Sequence, residues 1–372
     1  MTQLATGPVT GPRPAAAGPG SPRPQPPGRR GGFVAWAALL VVWVVWGSTY
    51  LAIRVADRSL PPFEMAAIRY LTAGAVLYPL AWLAWRHRRQ APGPSRRAQW
   101  AGMAVVGTML LAFGNGGVSY AEQTLPSGLA ALLVASVPLW MALADRAINA
   151  RRIRPSGWLA LLIGLGGVAV LARPTAHGSA VPVLVVLGAS ISWGIGSVLA
   201  GRLPAPASPL LGSAMQMMAG GVVLAGIAAA TSELTRATPG QVSTQSLAAL
   251  AYLIGPGSLL AMTCYVIALR RLRPTALSTY AYINPVVAVS LGTLILGERL
   301  TLTTLLGGAI IVASVALLLT HQARHPPATS RRAGPGIPQA RNEPAGRARH
   351  TRKCVQSGTL GNLTTGQERT PE

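Results

Sequence analysis

Between residues 33 and 320 the chain alternates long apolar runs with short polar connectors. Ten such runs are legible, each near the roughly 20 residues a helix needs to cross a bilayer. They fall at 33–54, 62–85, 98–120, 126–146 and 156–173, then at 180–201, 207–230, 247–269, 274–296 and 301–320. The ninth run is unusual because it carries Tyr280, Tyr282, Asn284 and a mid-run Pro285. Proline inside a spanning helix frees a carbonyl, which must be answered by a neighbouring helix or a cavity. The ninth run therefore reads as a working helix with polar groups turned toward such a cavity. On either side, residues 1–32 and 321–372 are polar, basic and rich in Pro and Gly or Ala. They cannot bury a core and are expected to be disordered tails, the first too polar for a cleaved signal peptide.

A single offset of 147 residues relates the two halves. It places Pro285 on Pro138, Trp193-Gly194 on Trp46-Gly47, Gly221 on Gly74 and Leu272 on Leu125. One offset joining separate segments without a gap indicates an internal duplication, 33–173 and 180–320. Each copy holds five helices, an odd number, so the second must enter the membrane from the opposite face. The predicted fold is an all-α integral membrane protein of ten transmembrane helices in two inverted five-helix repeats. Such repeats build many secondary transporters, whose sites lie near midplane at the repeat interface.

Composition agrees. The 372 residues are 50% hydrophobic and 11% charged, against about 25% charged in a soluble domain. The net charge of +23 would suit nucleic acid, but the positives lie in tails and connectors, with no folded basic domain to present them. The lipid bilayer is the expected partner, and nucleic acid is not. With the N-terminus inside, the inner connectors hold thirteen arginines, from Arg86 to Arg273, and the outer ones four, Arg58, Arg173, Arg236 and Arg299. This asymmetry puts both termini in the cytoplasm. Cys264 and Cys354 are too far apart in character to suggest a disulfide framework.

Seven ordered patterns carry a family resemblance. WGSTYLAIR at 46–54, PPFEMAAIRYLTAG at 61–74, GNGGVSYAE at 114–122 and PSGLAA at 126–131 cover the first half. ISWGIGSV at 191–198, STYAYINPVVAVSLGT at 278–293 and GERLT at 297–301 cover the second. Together they resemble the EamA-type permeases of the drug/metabolite transporter superfamily, most of all its YedA-like exporters. The resemblance implies a bacterial inner-membrane protein with a central cavity. It also implies substrates such as amino acids, related metabolites or amphipathic toxins. Members often carry a glutamate after both the fourth and the ninth helix. Here Glu298 is present while its offset partner is Arg151, so Glu298 is expected to act locally, for instance by capping the next helix.

Candidate site residues follow from polarity within the runs. Nine carboxylates exist, and none lies at the centre of a span, which disfavours a midplane proton relay. Glu122, closing the third helix, is the best remaining acid. Arg69 in the second helix is read either as paired with Asp57, Glu64 or Glu122, or as an anchor for an anionic substrate group. Its offset partner is Gln216. Asn115, between two glycines, is read as an interhelical hydrogen-bonding group or a cavity residue. Trp46 and Trp193 are expected at cavity walls, and Trp36, Trp43, Trp82 and Trp85 at the lipid face. Met215, Met217 and Met218 are read as packing rather than as a soft lining. Tyr265, Tyr280 and Tyr282 beside Asn284 form the expected substrate surface, and Pro138 and Pro285 the expected hinges. No histidine falls inside a span, and there is no nucleotide-binding loop, zinc spacing or nucleophile motif, so neither an enzyme nor a cofactor is expected.

The sequence thus points to a secondary active transporter that exports small-molecule metabolites or drugs by alternating access. An exchanger or importer of anionic solutes, suggested by Arg54 and Arg69, and a non-transporting sensor or assembly subunit stay open. So does the oligomeric state, monomer or dimer.

Overall fold

The computed structural model describes residues 29–86, 95–172, 180–233, 242–299 and 301–324. The two tails lie outside the described residues, apart from a few helical positions at their inner edges. Of the two units into which the chain divides, every described residue lies in Met1–Pro326. Ten helical rods follow in order: α1 Arg29–Ala56, α2 Pro62–Trp85, α3 Arg96–Glu122, α4 Ser127–Asn149 and α5 Pro155–Leu171. The second half gives α6 Val181–Ala200, α7 Pro209–Ala230, α8 Thr244–Arg271, α9 Tyr280–Leu296 and α10 Leu302–Arg324. Eight are long and apolar enough to cross a membrane, while α5 and α9 are shorter. At 17 residues each spans about 25 Å, a little less than the hydrocarbon core. A preceding turn, Pro274–Leu277, extends α9.

The local starts obey ordinary rules. Proline occupies the first turn of α2, α5 and α7, where its missing N–H is not needed. Ser95 and Ser243 accept from the backbone N–H three residues on, at 3.3 and 3.1 Å, and cap α3 and α8. The outward surface stays apolar, with Leu80, Leu159, Leu162, Val222 and Leu294 exposed. In water this would be an aggregating surface; in lipid it is the solvated one. Trp36 and Trp82 share it as expected. Trp43 does not: its Nε1 donates to Thr279 Oγ1 at 3.1 Å, which makes it an interhelical tie.

Packing crosses the two halves. Helix α1 lies on α8 and α9, and α6 lies on α3 and α4, the arrangement that the 147-residue offset maps onto itself. Helix α2 pairs with α7, α5 with α10, and the first half of α4 with α9. These seams group α1 with α8–α9, and α6 with α3–α4.

Because lipid is as apolar as leucine, close backbone approach rather than hydrophobic drive holds such helices together. The repeated Trp-Gly pairs show how. A Cβ on Gly47 would sit 2.6 Å from the Cβ of Val287 in α9, and one on Gly194 would sit 2.8 Å from the Cβ of Trp140 in α4. Val287 and Trp140 are themselves 147 residues apart. The motif recurs because the same contact is built twice.

The expected hinges differ. Helix α4 is interrupted at Ala135–Ser136, and Pro138 sits in the first turn of its second piece. Pro285 lies buried within the unbroken α9, and the interruption there comes earlier, at Ser278–Thr279.

Gly47→Ala and Gly194→Ala should each destabilise the protein by about 1–3 kcal/mol through overpacking. Gly226→Ala, where a Cβ meets nothing within 4 Å, should not. Thermal unfolding of the purified protein in detergent checks this.

Candidate functional site

Two stretches of π-helix mark the middle of the bundle, Thr108–Asn115 in α3 and Gly255–Leu260 in α8. Their first residues are again 147 apart, so the distortion belongs to the repeat. A π-turn displaces carbonyls from their usual partners and is frequent at functional sites. Side chains answer them here. Asn115 Nδ2 donates to Leu110 O at 3.2 Å, Ser192 Oγ of α6 donates to Met109 O at 2.9 Å, and Ser258 Oγ donates to Leu253 O at 2.9 Å. Asn115 thus bonds within its own helix rather than across to another. Trp193 packs on the same π-turn, 3.4 Å from where a Cβ of Gly114 would be.

Arg69 is buried, and its Nε donates to Ser258 Oγ at 3.0 Å, so α2 is pinned to the π-turn of α8. Its guanidinium lies 4.8 Å from the centroid of the Tyr70 ring, a cation–π contact. The expected pairing with a carboxylate is absent: among the described residues the one ion pair is the exposed Arg151–Asp145, at 3.4 Å. Glu64 stands five positions before Arg69 on α2, on a different face. The acids gather at the end of the bundle, while Arg69 turns inward to the serine.

Helices α1, α8 and α9 bring together an aromatic trio. Trp46 lies 5.3 Å from Tyr265 and 5.5 Å from Tyr280 between ring centroids, and the two tyrosines are 5.9 Å apart, edge to face. Asn284, with its amide nitrogen turned to them, donates to the carbonyls of Trp43 and Tyr280 at 3.2 Å each. Tyr282 is not part of this group, since two residues along a helix from Tyr280 put it on another face. Tyr50 lies within electrostatic reach of Glu122, Tyr280 and Tyr70. Sequence reasoning missed Tyr50, although it lies four residues after Trp46 and so shares its helical face. Gln216 sits apart and donates to Met103 Sδ at 3.4 Å. Met215 and Met217 are buried packing residues.

The repeat does not make a second such chamber. The offset partners of Tyr265, Tyr280 and Asn284 are Val118, Leu133 and Val137, and Leu133 is fully buried core. Only Trp46 finds an aromatic counterpart, Trp193.

Charge collects at the end of the bundle where α1 finishes. Glu298 accepts from Ser127 N at 2.7 Å, Ser127 Oγ at 2.8 Å and Gly128 N at 3.0 Å, and so caps α4 of the opposite half. Capping of the next helix, α10, was the expectation; Thr301 does that instead, accepting from Thr304 N. Glu233 likewise accepts from Phe63 N and Glu64 N at 3.0 and 3.1 Å and caps α2. Two carboxylates meet two positive helix ends. Asp57 and Glu122 are different: neither carboxylate has a hydrogen-bond partner. Glu122 is fully buried, and Arg54 donates to its backbone carbonyl rather than to its side chain. A cleft of about 480 Å³, lined by Arg54, Asp57, Arg58, Gln123 and Glu298 among others, opens beside them.

Comparison with known proteins places these features. Residues 34–173 and 180–320 each match the model of the EamA-like transporter family. The chain is 38% identical over 286 residues to the inner membrane transporter YedA of Escherichia coli (strain K12), covering 76% of this chain and 90% of that one. It is 27% identical over 286 residues to the protein PecM of Dickeya dadantii, covering 74% and 88%. A solved crystal structure superposes with a TM-score of 0.51 at 22% identity, over 81% of this chain and 99% of the other, a likeness of fold alone.

Burial pushes the Asp57 carboxyl up to about 8 from 3.8; Arg54 opposes this and Glu233 adds to it. The folded state therefore holds this proton to higher pH than the unfolded chain does. Stability from it is full below about pH 4 and is lost as pH rises toward 8. Asp57→Asn, which stays neutral, should gain in melting temperature over the wild type progressively across that window. A constant difference between the two melting curves would contradict the assignment.

Proposed function

The chain belongs to the EamA-like transporter family, and we propose that it is a secondary active carrier exporting small metabolites, amino acids or related compounds among them, or drugs. Transport is by alternating access, with the arginine-rich end of the bundle and both termini in the cytoplasm. One observation carries this reading. Where helices of the two halves meet, α1 from one and α8–α9 from the other bring Trp46, Tyr265 and Tyr280 together with Asn284 beside them. Ligand pockets combine apolar area with a few convergent polar groups in this way.

In this reading Trp46, Tyr265 and Tyr280 offer ring surface to the apolar part of a solute, and Arg69 takes its carboxylate. Asn284 and Ser258 hold the two walls in register. Trp193 and Asn115 serve the opposite π-turn, and Tyr282 and Gln216 are second-rank candidates. The moving bodies are α1 with α8–α9 and α6 with α3–α4, sliding across the α2–α7 seam. The α4 break before Pro138 and the carbonyl freed by Pro285 supply flexibility.

The buried Arg69, which makes no ion pair among the described residues, also favours exchange of anionic solutes as a second reading. The two are separated in proteoliposomes loaded with amino acids, organic anions or amphipathic cations. Saturable counterflow is expected for the wild type. Arg69→Gln should reduce it about tenfold or more for carboxylate solutes, the equivalent of one charge-assisted hydrogen bond. Tyr280→Ala should reduce it for every solute, and Tyr282→Ala far less. Movement of organic anions alone would select the exchanger, and absence of any movement would sink the carrier reading. Pro285→Ala should slow turnover without loss of expression; unchanged turnover would remove the hinge role.

A further inference from the structure

We propose that the buried Glu122 carboxyl, with Asp57 at the wall of the adjoining cleft, is a proton-binding site of this carrier. Its occupancy stands on geometry alone; its use in driving transport rests on the carrier reading above.

The first ground is that no hydrogen-bond donor reaches the Glu122 carboxylate. It is fully buried, both carboxylate oxygens lack a partner, and it is the last residue of α3, where the helix already presents its negative end. An isolated ionised carboxylate costs several kcal/mol there, and a neutral acid far less. The second ground is a counter-charge held in reserve. Arg54 donates to the backbone carbonyl of the same residue, so a change of side-chain rotamer brings its guanidinium from that carbonyl to the carboxylate. When the carboxyl O–H bond breaks, the proton passes to cleft water and the oxygen left negative gains Arg54. The site has two states, and each is electrostatically answered.

Every charged neighbour is accounted for. Asp57 and Arg54 act on Glu122 from α1 and the turn after it, Arg69 from α2 and Glu298 from the end of α9. Helix α6, packed on the same end of α3, carries no charged residue. Asp57 in turn faces Arg54 and Glu233. Glu233 and Glu298 are committed to helix caps, and Glu64, with one oxygen unpartnered, faces Glu233, which leaves Asp57 and Glu122 as the acids with both oxygens unpartnered. Among the described residues no three His, Cys, Asp or Glu side chains converge to hold a metal ion. Two acids flanked by arginines suit a proton better than a larger cation.

The path is short. Asp57 lines the open cleft, has both oxygens unpartnered and acts directly on Glu122. On the other side Glu122 acts on Tyr50, which lies four residues along α1 from Trp46. In the carrier reading, coupling of proton to solute runs along this face of α1.

Infrared titration of the full-length protein in liposomes tests this, read at the carbonyl stretch of protonated carboxylic acids. At neutral pH, where exposed acids have ionised, the wild type should retain this band from both Glu122 and Asp57, and Glu122→Gln should lose the Glu122 share of it. In Asp57→Asn the remaining band should disappear at lower pH than in the wild type, because a like charge has been removed. A wild type with no such band, as a bound cation would give, overturns the proposal, and so does an undiminished band in Glu122→Gln. Should Glu122→Gln fail to fold, an unchanged titration in Asp57→Asn overturns it alone. Wild-type counterflow in the same liposomes separates the two readings: its absence removes the carrier but not the proton site.

Discussion

Inside a bilayer no water is available to complete a hydrogen bond or to screen a charge, and the structure is organised around that scarcity. Each departure from regular helix is answered locally. The displaced carbonyls of the two π-turns are met by Asn115, Ser192 and Ser258. The positive ends of α2 and α4 are met by Glu233 and Glu298, each reaching across from the other half. The answers from Ser192, Glu233 and Glu298 cross between halves and so also stitch the halves together. The carboxylates left wholly without a hydrogen-bond partner, Asp57 and Glu122, are therefore informative. Retaining them costs stability, and the site accounts for that cost.

A duplicated chain would make two equivalent sites if nothing broke the symmetry. The backbone keeps it: the π-turns, the Trp-Gly contacts and the helix pairings all repeat at one offset. Side chains break it. Tyr265 and Tyr280 build a chamber on α8 and α9, while Val118 and Leu133 fill the corresponding space with core. The capping acids Glu233 and Glu298 correspond to Arg86 and Arg151 at the opposite end. Both changes follow from the inversion. The two copies face opposite sides of the membrane, and positive charge is concentrated on one side. A symmetric scaffold thus carries one aromatic cluster and one end where the acids gather.

Much of this was legible in the sequence, because membrane insertion ties element length to apolar run length. Ten runs became ten rods within a few residues, and the repeat offset located Gly47 on Gly194 before any contact was known. The sequence groups Tyr265, Tyr280 and Tyr282 with Asn284, since polar and aromatic side chains within apolar runs have few reasons to be there; in the structure Trp46 takes the place of Tyr282. Errors arose wherever the question was which of several reachable partners a side chain takes. Arg69 went to a serine and a ring rather than an acid, Glu298 to α4 rather than α10, Asn115 to its own helix, and Trp43 to Thr279 rather than lipid.

The sequence by itself determined the class, the span count, the duplication and the family, for each depends on composition and spacing along one dimension. Only the tertiary structure decided that the packing bodies mix the two halves, that the π-turns align, and that Glu122 is left without a partner. The physical reason is that hydrogen-bond and charge partners in a helical bundle sit on different helices. Their choice is set by crossing positions and rotamers, which differ by a few kcal/mol and leave no periodic trace in the chain.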